Sequence, residues 1–376
     1  GSEPVPETLP RLGGTRQQVV GLQHVEHRKT RGGRNRVAPE GRAVVAGVEE
    51  LAGAVRGDAG TDRHAAGKPL RQGDDVGGHP GSGVGLNGNP VTMSYSEGFS
   101  FYAPEKWHLP LDFPFAVVAH EVSHQWWGNE ISPARVEGAP VLTESLAWYT
   151  AMMIYEKSFG PENLDLLLRV MRQEYLNPRS AADVPLLRST DRFNKYRKGP
   201  FAMFTLKEYV GEHLVSTALR NLLHKFGDGQ TPLPVSLDLY AELQEVTPDS
   251  LQYLLKDLFE KNTFWELEAV SGKTNILKNG NWSLSLKIKT KKVEVDEEGK
   301  ETEHPMNDHI EIGIYADSPE GELGELLYLK KHKLISGEQS IEIEVPRKPD
   351  LAGIDPRRLL FDRNTEDNFV EIVSSE

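Results

Sequence analysis

The chain of 376 residues has no cysteine. That excludes disulfide frameworks, thiolate-ligated zinc or iron–sulfur centres, and thiol nucleophiles. No apolar run approaches the roughly 18 uninterrupted residues needed to span a bilayer. No basic-then-apolar leader opens the chain, which does not begin with Met. Positive charge is also short: 43 Lys and Arg stand against 56 Asp and Glu, a net charge of −13. That balance argues against nucleic acid as a partner. The expectation is an acidic, soluble protein of two or three domains, with its compartment left open.

The first quarter lacks more than the rest. Residues 1–92 contain no Phe, Trp, Tyr or Ile, yet hold 19 of the 35 glycines and 10 Arg against 2 Lys. Their Val, Leu and Ala follow no sustained period of 2 or 3.6. So little apolar bulk cannot offset the entropy lost on ordering. Two readings stay open for 1–93: a disordered tail with a short helix near 43–56, or a stretch translated out of frame. The missing aromatics and Ile favour the second. GSGVGLNG at 81–88 has the look of a phosphate loop but follows no strand pattern and opens no helix.

From Met93 the texture changes. YSEGFSFY (95–102) alternates like a strand. Residues 114–128 read as a helix, and Pro140 suits the first position of a second helix over 140–158. Helical patterns recur at 161–176, 200–211, 213–226 and 248–262. After about residue 265 alternation takes over (LSLKIKTKKVEV, HIEIGIYA, LLYLKK, QSIEIEV, FVEIV), which predicts a small antiparallel β-sandwich over 265–376. The acidic run 294–303 reads as a solvated hairpin tip. The fold expected is α+β: a mainly helical domain over 94–264, the β-sandwich after it, and an irregular N-terminal quarter.

The informative motif is His120-Glu121-Val122-Ser123-His124. Residues four apart share one helix face, so both imidazoles can reach a single Zn²⁺ and the Glu between them can reach a water at the metal. Phe115, Val117, Val118, Val122, Trp126 and Trp127 surround the motif with apolar side chains. A carboxylate there is costly unless it serves a metal or a partner. A catalytic zinc needs a third protein ligand and an open fourth position. Glu144, one turn into the next helix, suits that place. Glu130 follows His124 too closely, and Glu137 falls in the loop before the helix. Trp126, Trp127, Trp148 and Tyr149 read as core. The remaining histidines show no ligand spacing.

HEVSHQWWGN followed by a helical Glu resembles the membrane alanyl aminopeptidase family of zinc metallopeptidases, the gluzincin aminopeptidases. The likeness is strong over 95–265, weaker to 376, and absent from 1–92. The 19 residues between His124 and Glu144 are one more than the family's usual spacing. That feature and DPRRLLFDRNTEDN at 355–368 are similar to bacterial members accompanied by transporter-type membrane segments. The resemblance implies a thermolysin-like catalytic domain binding one Zn²⁺ per chain. It implies that Glu97, in the strand YSEG where the family carries Gly-Ala-Met-Glu-Asn, anchors the substrate's free α-amine. It implies that Tyr196, matching the family's Tyr-x-Lys-Gly, stabilises the oxyanion of the tetrahedral intermediate. Arg197 and Lys198 read instead as solubility or local charge-pairing residues.

The expected function is therefore a zinc aminopeptidase acting on peptides with a free N-terminus, with Glu121 as general base and then acid. Two alternatives are a non-catalytic zinc module of a membrane or transporter-linked protein, and an endopeptidase on the same scaffold. The subgroup resemblance implies a membrane or transporter-type partner.

Overall fold

A computed structural model describes residues 112–176, 183–317 and 323–374, together with the backbone of three strands further upstream. All lie in the compact unit Arg36–Glu376. The strands are β1 (Asp75–His79), β2 (Leu86–Asn89) and β3 (Thr92–Ser96), in the order β1-β3-β2, with β1 parallel and β2 antiparallel to β3. This corrects the expectation of an irregular stretch up to 93 and of a first strand beginning at 95. The short helix expected near 43–56, Glu97 and the rest of 97–102 lie outside the described residues.

Seven α-helices follow among the described residues: α1 (Phe113–Ser123), α2 (Leu146–Phe159), α3 (Pro161–Leu176), α4 (Gly199–Val210), α5 (Glu212–Phe226), α6 (Ser236–Val246) and α7 (Gln252–Phe259). Asp112 caps α1, accepting the Phe115 N–H at 3.0 Å. The helix ends at Ser123, five residues before the Gly128 that the sequence suggested. The Asp112 N–H donates to the Tyr155 hydroxyl at 3.0 Å, and Phe115 meets Phe159 at 4.8 Å between ring centroids. At the other end His120 stacks on Trp148. These contacts run α1 antiparallel to α2. No helix among the described residues is long and apolar enough to cross a membrane.

Eight further strands form one curled sheet: β4 (Thr263–Ile276), β5 (Trp282–Val295), β6 (Glu301–His304), β7 (Asn307–Tyr315), β8 (Leu326–Ile335), β9 (Gly337–Val345), β10 (Leu351–Ile354) and β11 (Phe369–Ser374). The order is β6-β5-β4-β11-β10-β7-β8, and β9 also pairs with β5. Only Ser336 separates β8 from β9, so this connection draws the far edge round towards β5. The expected antiparallel pattern fails at one pairing: β11 runs parallel to β4, with Ile372 opposite Gly272. The acidic run 294–303 does form an exposed hairpin end, where Asp296 accepts the Glu298 and Lys300 N–H groups.

The segment 355–362 ties sheet to helices. Asp355, at φ 45°, accepts the Leu359 and Leu360 N–H groups, each at 3.0 Å. This tight turn sends Phe361, 1% exposed, between Tyr175 of α3 and Phe201 of α4, with both ring centroids 5.1 Å away. Thr205 donates to the Leu359 carbonyl at 2.6 Å and Arg172 to that of Arg358 at 2.9 Å. The segment thus ties α3 and α4 to the sheet.

Candidate metal centre

His120 lies in the last turn of α1 and His124 is its C-terminal cap. Helical geometry puts both imidazoles on one face, as their spacing predicts. The carboxylate comes from the start of the antiparallel neighbour. Val141–Ser145 winds as a π-turn before passing into α2, and Glu144 lies in that turn. His120 Nε2 is 3.3 Å from Glu144 Oε2, His124 Nε2 is 3.5 Å from the same oxygen, and the two Nε2 atoms are 3.2 Å apart. Among the described residues this is the one group of three metal-type side chains close enough to share an ion.

Those separations allow a direct test of fit. Donors about 2.0–2.2 Å from a tetrahedral zinc lie about 3.3–3.6 Å from one another. The three atoms therefore outline one face of such a tetrahedron. The protonation pattern agrees. His124 Nδ1 lies 2.8 Å from the Trp127 carbonyl, which can only accept, so Nδ1 carries the proton and Nε2 presents its lone pair inward. Burial holds the His120 imidazole down to about 4, which keeps it neutral. Burial also works to raise Glu144, but in the absence of an ion its close pairing with the His120 and His124 rings holds its carboxyl well below the usual carboxylate range. For His124 burial pulls down, while the Glu144 carboxylate and the Trp127 carbonyl lift it above its ordinary value. Two imidazole nitrogens, each able to present a lone pair once unprotonated, and one carboxylate suit a borderline-soft divalent cation.

The wall of the site is apolar and aromatic. Trp148 stacks on His120, with centroids 4.7 Å apart and planes at 27°. Trp126, Trp127, Trp148 and Tyr149 are all buried, as expected of core, but Trp148 also lines the centre. Glu144 remains 22% exposed against 5% for His120, so the open side lies at the carboxylate. Glu121 is buried, and its charge acts on both His124 and Tyr196. Tyr196 lies in a second π-turn, Asn194–Lys198, which leads into α4. Its ring centroid is 6.2 Å from that of His120. Burial pushes the phenol up to about 12, helped by the charge of Glu144 and a hydrogen bond to it, so it stays a proton donor at neutral pH.

The structure thus brings His120, Glu121, His124, Glu144 and Tyr196 together. Glu97 lies outside the described residues. Glu137 stands apart, exposed and paired with Arg188 at 3.0 Å. The reading of Lys198 needs correction: it is 1% exposed and donates to Asn262 Oδ1 at 3.1 Å, so it is no solubility residue. Arg197 pairs with Glu174, as expected. Neither π-turn, nor Ser145 within the first, was singled out by sequence.

No curated protein matches the chain. Among solved structures, an M1 zinc metallopeptidase from Deinococcus radiodurans, a point mutant bound to a Tyr-Ser-Ala substrate, aligns with 60% of this chain at 17% identity and a TM-score of 0.39. The chain spans 45% of that protein's chain. Residues 114–259, which carry His120, Glu121, His124, Glu144 and Tyr196, match the Peptidase family M1 domain.

Proposed function

We propose that this chain is a zinc metallopeptidase that hydrolyses N-terminal peptide bonds. The observation that carries the reading is the face of three donor atoms, 3.2–3.5 Å apart, with Glu121 and Tyr196 beside it. His120, His124 and Glu144 would hold the ion. A zinc ion there supplies Lewis acidity, which favours deprotonation of water near neutral pH and draws electrons from a carbonyl.

The chain's own groups do the rest. Glu121 takes the proton of the attacking water on a carboxylate oxygen and returns it to the leaving amine. The Tyr196 phenol, kept protonated by its buried, anionic surroundings, donates to the oxygen on which charge develops. Trp148 and its apolar neighbours hold His120 and restrict water, which strengthens both interactions. Glu97 selects free N-termini by pairing with the α-ammonium. The match to an M1 peptidase domain supports peptide as the substrate class. A membrane or transporter-type partner remains part of the proposal through the subgroup resemblance.

Hydrolysis of a panel of fluorogenic aminoacyl amides tests this, with Glu121→Gln as control. The expected result is cleavage by the wild type and a loss of about 10²–10⁴ in turnover in a variant that still binds zinc. Retained turnover in Glu121→Gln overturns the assignment of Glu121. Cleavage only within longer peptides, with none of the amides cut, overturns the N-terminal specificity.

A further inference from the structure

Glu144 and Tyr196 are far apart in the chain, yet the turns that carry them touch. Each lies in a π-turn, Val141–Ser145 and Asn194–Lys198. Such turns are uncommon and concentrate at functional sites. Ser145, the residue after Glu144, donates from Oγ to the carbonyl of Lys195, the residue before Tyr196, at 2.9 Å. Gly199, directly after the second turn, lies against the same serine. A Cβ at Gly199 would sit 2.1 Å from Ser145 Oγ, 2.6 Å from Ser145 Cβ and 3.2 Å from the Asn194 carbonyl. Rotation of the hydroxyl relieves the first clash. The second involves a Cβ, which moves only with the backbone of its own turn.

The second turn cannot simply retreat. Asn194, fully buried, donates to Asp183 at 2.8 Å and to Asp191 at 2.6 Å. At the turn's other end the buried Lys198 is tied to Asn262. Any side chain at Gly199 therefore drives the strain into the first turn, where Glu144 sits.

We propose that Ser145 and Gly199 are positioning residues that set the register of Glu144 against Tyr196. One contact between two turns then fixes both the third metal donor and the phenol. The proposal rests on the metal-centre reading above.

Chelator competition for zinc in Gly199→Ala, Ser145→Gly and the double variant tests it, with kcat and KM measured alongside. Misplacing the supports of a metal ligand typically costs 10–100-fold in metal affinity. Gly199→Ala should lose about that much zinc affinity, with kcat falling more than KM changes. Ser145→Gly in the same background should bring the loss back to that of Ser145→Gly alone, because it vacates the space the new methyl needs. Wild-type zinc affinity in Gly199→Ala overturns the proposal, as does a double variant whose loss is the full sum of the two single losses. Should Gly199→Ala fail to fold, Ser145→Ala carries the test by removing only the hydroxyl. An affinity loss of about tenfold is then expected, and an unchanged affinity overturns the coupling. Absence of zinc binding by the wild type itself overturns the metal-centre reading and this inference together, and shows before any substitution is made.

Discussion

Two clusters of ionisable side chains among the described residues are built in opposite ways. At the junction of helices and sheet, Lys292 donates to Asp257 Oδ2 at 2.8 Å and to both oxygens of Asp308, at 3.1 and 3.0 Å. Thr263 serves the other oxygen of Asp257, and Trp265 and the Asn307 N–H serve Asp308. Each carboxylate oxygen has a donor, and the cation is supplied from within. At the candidate metal centre two imidazole nitrogens and a carboxylate oxygen converge, and all three are acceptors in the state that binds metal. Acceptors facing acceptors repel unless a cation lies among them. The first cluster is complete and structural, while the second calls for an ion from outside.

Substitutions can break this contrast. The largest effect belongs to Glu144→Ala. It removes the one charged donor, so zinc affinity should fall by more than about 100-fold, beyond the loss typical of a supporting residue, and turnover should fall with it. Equilibrium dialysis with metal analysis reads the first, and amide hydrolysis the second. Lys292→Met should do the reverse. It leaves Asp257 and Asp308 buried without their cation, which costs about 3–5 kcal/mol, visible as an earlier urea midpoint, while zinc affinity in the folded state stays put. If Lys292→Met weakens zinc binding as strongly as Glu144→Ala, the two clusters are not independent.

Tyr196→Phe sharpens the comparison within the metal centre. It keeps the donors and removes only the phenol, so kcat should fall by about 10²–10³ at unchanged zinc affinity. A last comparison concerns a carboxyl with neither solution. Asp362 is fully buried, and its Oδ2 meets no donor among the described residues. Burial, together with the charges of Asp355 and Asp367, pushes it from 3.8 up to about 8. A pKa raised on folding means stability present below about pH 4 that is lost as pH rises through about 8. Asp362→Asn should flatten that slope. Urea midpoints at pH 5 and 8 should differ less in the variant than in the wild type, and an equal difference in both would remove Asp362 as its source.

Some of this was legible in the sequence because it is local. The spacing of His120 and His124 forces them onto one helix face, and an antiparallel neighbour one loop later brings Glu144 to them. The alternating runs after residue 265 gave most of the C-terminal strands for the same reason. The errors have physical causes. Helix α6 went unread because Leu237 faces solvent at 61% exposure and blurs the 3.6-residue period. The parallel pairing of β11 with β4 depends on chain routing, which no local pattern encodes. Lys198 looked like a surface residue because burial of a lysine depends on a distant partner, Asn262. The π-turns have no residue signature at all, so the contact between Ser145 and Gly199 is visible only in three dimensions.

The central claim is that His120, His124 and Glu144 hold one zinc ion. Anomalous diffraction above the zinc edge, on crystals of the purified chain supplied with zinc, tests it most directly. The account predicts a single strong peak about 2.0–2.2 Å from His120 Nε2, His124 Nε2 and a Glu144 carboxylate oxygen. No peak at these atoms, or a peak held by other side chains, would contradict it.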